Sequence, residues 1–177
     1  MMNNLPLSIF IMPFIALSID IILYTLVLKK TPDKHNYKKF TLTVFVLAFF
    51  MNYAWELLQG PLYEGYSYNA KMISFCALAS VADAIMVLLL YFSFAVIYKK
   101  TFWIRHLSFI KISFLLIVGG IGAVLTEIRH TSEGNWTYDE SMPIIPFVSV
   151  GLSPVLQFML LPVLIYSISF YLLKRPR

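Results

Sequence analysis

One cysteine, three histidines and seven glycines in 177 residues leave little material for covalent staples, metal centres or phosphate loops, and only 13% of the chain is charged. Cys76 has no second cysteine to pair with, so an internal disulfide is excluded. No HExxH, CxxC or paired-histidine spacing occurs, and His35 and His106 lie far along the chain from His130. A metal centre is therefore not expected, nor any cofactor. A phosphate-cradling glycine loop and a Ser-His-Asp set are missing as well, as are internal repeats. Period-two alternation, which would mark an outer-membrane barrel, is also lacking.

What the chain has instead is apolar residues. They make up 59% of it, against about 45–50% in a soluble domain, and mean hydropathy is +0.76. Crossing a hydrocarbon layer takes about 20 apolar residues, and five runs suffice: 5–28, 40–58, 72–98, 107–126 and 154–173. In lipid each must be a helix, because only a helix satisfies its own backbone. The expected fold is all-α, a single polytopic bundle of five transmembrane helices over residues 1–177. The first run is read as a retained helix rather than a cleaved signal, since no Lys or Arg precedes it while Lys29 and Lys30 follow it. Between the fourth and fifth runs, Pro143 and Pro146 predict a stretch at the interface or re-entering partway.

The formal charge of +5 is explained by orientation, with no need for nucleic acid as a partner. Lys29, Lys30, Lys34, Lys38 and Lys39 fill the first loop; Lys99, Lys100 and Arg105 the third; Lys174, Arg175 and Arg177 the tail. The second loop holds Lys71 alone, and the fourth sets Arg129 among Glu127, Glu133, Asp139 and Glu140. By the positive-inside rule the N-terminus faces out and the C-terminus in, as expected of a protein in a bacterial inner (plasma) membrane.

Against that background the polar residues within the runs stand out, because an ionisable group in a span is costly and by default functional. Asn52, Glu56 and Gln59 are spaced i, i+4, i+7 and share a helical face; Cys76, Ser80 and Asp83 repeat the pattern. Gly119, Gly122 and Thr126 lead up to Glu127, and Gln157 lies one turn past Pro154. Asp20 is nearer the cytoplasmic side. Polar faces at similar depth on neighbouring helices predict one shared cavity in the outer half. Glu127 and Arg129, two apart, do not face each other on an ideal helix. Either the helix ends between them or one pairs elsewhere, and the expected partner of Arg129 is Glu127, Glu56 or Asp83.

A carboxyl group in a low-dielectric pocket keeps its proton and serves as an acid, while one in a polar setting stays ionised and serves as a base. Glu56, Asp83 and Glu127 are the candidate catalytic residues on this logic. Asn52, Trp55, Gln59, Arg129, Trp136, Tyr138 and Gln157 are the candidate substrate-binding residues, the aromatic rings being suited to a developing cation.

The acid near the end of the second span, Leu125-Thr-Glu-Ile-Arg129 closing the fourth and Leu161-Pro-Val-Leu164 in the fifth resemble the EXPERA group over roughly residues 38–173. That group includes the emopamil-binding sterol isomerase and the sigma-2 receptor. The resemblance implies five spans and proton transfer at a carbon–carbon double bond, with Glu56 as the second-span acid. Asn52 stands where the group has a titratable His, Asp83 is one turn displaced from the third-span acid, and Trp136 is not a position of the group. Gly134-Asn-Trp-Thr-Tyr138 is similar to the G-x-W-x-Y of membrane carotenoid (lycopene) cyclase domains, although Pro154-Val-Leu-Gln157 replaces their paired glutamates.

Three readings follow. One is an isomerase or cyclase acting on an isoprenoid or other membrane lipid. Another is a non-catalytic binder of a hydrophobic small molecule, with a carboxylate as counter-ion. A small transporter subunit is the third, disfavoured by the lack of inverted repeats. A homo-oligomer is compatible with all three.

Overall fold

Residues 7–174 are described by a computed structural model of the chain. Five helices carry it: α1 (Ile11–Lys30), α2 (Lys34–Gln59), α3 (Ala70–Ile97), α4 (Phe109–Ser132) and α5 (Leu152–Lys174). Each is long and apolar enough to cross a membrane. A two-residue antiparallel pair, β1 (Ile144–Ile145) with β2 (Val150–Gly151), precedes α5. The first apolar run begins before the described residues, and so do its Leu5 and Pro6; Arg175 and Arg177 lie beyond them.

Helix ends differ from those of the apolar runs by up to six residues, and at three starts a side-chain cap fixes the position. Asp33, Asn69 and Ser108 accept the N–H groups of Asn36 (3.0 Å), Met72 (3.0 Å) and Lys111 (3.4 Å), occupying donors that a helix start leaves free. The fourth helix does not end between Glu127 and Arg129; it continues to Ser132. It closes where Gly134, at φ 68°, lets the N–H groups of Gly134 and Asn135 return to Thr131 O (3.1 Å) and His130 O (2.9 Å). The stretch after Pro143 is a tight hairpin, with Phe147 fully exposed at its tip.

Packing runs in the order α1, α3, α2, α5, α4, each helix against the next. Thr31 and Thr101 join by a 2.7 Å hydrogen bond, so the lysine-rich loops share one end of the bundle, here the basic end. An aromatic core fills that half. Tyr91, Trp103 and Tyr166 are buried, and their polar tips bond to the carbonyls of Thr101, Tyr91 (3.2 Å) and Val87 (2.6 Å) respectively. Trp103 belongs to the loop between α3 and α4, so part of this charged connection is core.

Lipid is as apolar as leucine, so helices in a membrane associate through close packing and hydrogen bonds. The α4–α5 contact uses the first. Pro162 has no N–H to offer Phe158 O one turn earlier, and Gly119 lies so close to that carbonyl that a Cβ would overlap it. Gly122, by contrast, faces open space.

Candidate functional site

Hydrogen bonds do the joining at the opposite end, where α2, α3 and α5 meet. Asn52, Glu56 and Gln59 point from one face of α2 toward Gln157 of α5 and Asp83 of α3. Ser153 Oγ donates to Gln59 Oε1 (2.9 Å); Gln59 Nε2 donates to Gln157 Oε1 (3.0 Å) and Glu56 Oε1 (2.8 Å). Gln157 Nε2 then lies 2.9 Å from Asn52 Oδ1, 3.2 Å from Glu56 Oε1 and 3.2 Å from Asp83 Oδ2. An amide nitrogen carries two protons, so three acceptors compete for them. Asn52, Gln59 and Gln157 are almost wholly buried. The residues expected to share one cavity are joined instead in a packed, hydrogen-bonded cluster, and two carboxyl groups meet on one nitrogen.

Glu127 enters from α4 with a separate set of partners. Tyr138 donates its hydroxyl, and Trp136 its indole N–H (3.2 Å), to the same Oε2. Backbone geometry holds both rings there. Glu64 N–H bonds Thr137 O (3.1 Å) and Asp139 N–H bonds Leu62 O (2.9 Å), bridging the loops after α2 and after α4. Gly151 of the hairpin is buried against the Tyr138 ring, and a Cβ would stand 3.0 Å from it. His130 stacks on Trp136 at 4.3 Å between centroids.

Beside the second set sits Tyr63, a residue that no spacing in the sequence singles out. Its ring lies 5.6 Å from that of Tyr138 and 6.3 Å from that of Trp136. Burial, then the charges of Glu127, Glu56, Tyr138 and Asp83, push its phenol well above the ordinary tyrosine value. Tyr63 thus remains protonated beside the Tyr138 and Trp136 rings. Ser153 was also missed. For Tyr63 the available signal was Gly60-Pro61, which ends α2 and opens the turn that leads to Tyr63.

Other expectations change. Arg129 does not pair with Glu127, Glu56 or Asp83: its Nε bonds Glu133 at 2.8 Å, one turn on, at the exposed end of α4. The i, i+4 spacing makes that pair natural once the helix continues. Trp55 packs against the aromatic core, and its indole N–H is buried without a hydrogen-bond partner among the described residues. Cys76 Sγ is 3.9 Å from Glu56 O, and Ser80 spends its hydroxyl on Cys76 O of its own helix (2.6 Å). Asp20 lies apart on α1, 4% exposed, its oxygens bonded to no described residue. No three His, Cys, Asp or Glu side chains among the described residues are grouped to hold a metal ion.

Fold and site together define a class: a mostly helical protein whose five long helices are each apolar enough to cross a membrane, with two carboxyl groups gathered on one amide of the bundle. No protein-family model, curated protein or solved structure matches the chain.

Proposed function

We propose that this protein is a membrane enzyme that moves protons on an alkene-bearing lipid, as an isomerase or cyclase of isoprenoid-like molecules does. The observation that carries the reading is the meeting of Glu56 and Asp83, each 3.2 Å from Gln157 Nε2. Two carboxyl groups gathered on one amide donor disfavour both ionising at once. One is then an acid and the other a base in the same cluster. The protonated carboxyl delivers its proton to one alkene carbon and leaves a cation on the other. Loss of a proton from a neighbouring carbon to the second carboxylate restores a double bond in a new place; attack by another double bond before that loss closes a ring. Trp136, Tyr138 and Tyr63 supply aromatic faces for the cation, and Gln157 positions both carboxyl groups. By the positive-inside rule the basic end faces the cytoplasm and this site lies in the outer half.

A second reading is favoured by the same acidic cluster. A cationic amphiphile would find carboxylates and aromatic walls together, with no chemistry required. Membrane lipid extracts from cells carrying wild type, Glu56→Gln and Asp83→Asn separate the two. Catalysis predicts that one precursor accumulates in both variants; unchanged lipids with lost binding of a cationic amphiphile would establish the binder instead.

A further inference from the structure

At the basic end, away from the carboxyl cluster, a groove of about 340 Å³ opens between the start of α2, the α3–α4 connection and the end of α5. Its lining divides by chemistry: Arg105, Lys174 and Asn36 provide donors, while Phe102, Phe170 and Leu173 provide an apolar floor. We infer that this groove binds the phosphate headgroup of an anionic membrane lipid, with the lipid's glycerol and first chain carbons on the floor.

The polar groups are set in place by the fold. Trp103 and Ile104 are buried in the turn that carries Arg105, and Arg105 N–H bonds Phe102 O at 3.0 Å, so the guanidinium projects from a fixed backbone. Lys174 Nζ lies 4.6 Å from the centre of the Phe170 ring, which in turn faces Phe102 at 6.4 Å. Neither cation forms an ion pair with a carboxylate among the described residues. The acid nearest in sequence to the groove's Asn36 is Asp33, and it is engaged in capping α2. It accepts from Asn36 N at 3.0 Å and Nδ2 at 2.6 Å, and these donors hold its carboxyl below the usual value. A planar guanidinium fork and an ammonium point charge beside an apolar floor match a phosphodiester with a hydrocarbon attached. A scattered topology signal needs no such concavity.

Purified full-length protein in phosphatidylcholine nanodiscs is titrated with phosphatidylglycerol, and bound lipid is counted by native mass spectrometry. Arg105→Gln/Lys174→Gln is expected to lower affinity several-hundredfold, from two charge-assisted hydrogen bonds to phosphate at about 2 kcal/mol each. Lys99→Gln/Lys100→Gln removes the same charge from the same end outside the groove and should cost at most the roughly thirtyfold of two basic groups near an anionic surface. Equal losses in the two variants would reduce the effect to general surface charge and overturn the site. Displacement by inorganic phosphate at matching concentration would overturn the lipid assignment.

Discussion

Replacing Gln157 with Leu removes, among the described residues, the one side chain of α5 bonded to both α2 and α3. Its amide offers two protons to Asn52, Glu56 and Asp83 and accepts one from Gln59, so three interhelical hydrogen bonds are lost. At about 0.6 kcal/mol each in a membrane, they sum to about 2 kcal/mol. Asn52, 1% exposed, is also left with an unsatisfied oxygen, at about 1–3 kcal/mol. The expected loss is about 3–5 kcal/mol, read by equilibrium unfolding in bicelles. A double-mutant cycle with Asn52→Ala assigns the pair, for which coupling near 0.6 and at most about 1.7 kcal/mol is expected. A Gln157→Leu protein within about 0.5 kcal/mol of wild type, or a cycle with no coupling, would refute the argument that this amide ties the three helices together.

Gly119→Ala must part α4 from the Phe158 carbonyl and should cost about 1–3 kcal/mol; Gly122→Ala faces open space and should be neutral or slightly stabilising by helix propensity. Thermal unfolding in detergent of the two variants side by side tests this, and equal effects would contradict it. Tyr138→Phe keeps the ring against Gly151 but withdraws the hydroxyl from Glu127, an expected loss of about 1 kcal/mol. In the lipid assay it should slow turnover without abolishing it. Arg129→Gln should leave both stability and turnover at wild-type values, because Arg129 pairs only with its own helix at an exposed end; a large loss of turnover would return it to the site.

The five helices were legible because a continuous apolar run of sufficient length has one stable form in lipid. Their ends were less so. Asp33, Asn69 and Ser108 act through side-chain bonds that hydropathy does not register, and α4 carries Glu127, Arg129 and His130 inside its last turns. The i, i+4, i+7 spacing of Asn52, Glu56 and Gln59 put these residues on one face, and they do meet Gln157 and Asp83. Spacing carried no information on Tyr63, which is brought to the Glu127-bound rings by a turn and a cross-loop bridge to Tyr138. It also misplaced Trp55, whose position one turn from Asn52 suits the polar face while its bulk packs with the core. The β1–β2 hairpin was invisible because two-residue strands have no periodicity to read.

Central to the account is that Glu56 and Asp83 handle protons as one unit through Gln157. Isotope-edited infrared titration of the Glu56 carboxyl, in wild type and in Asp83→Asn, tests this directly. Coupled carboxyl groups titrate with midpoints that belong to the pair, so the Glu56 band should shift its midpoint when Asp83 loses its charge. An identical Glu56 titration in the two proteins would contradict the shared proton and, with it, the acid–base role proposed for the site.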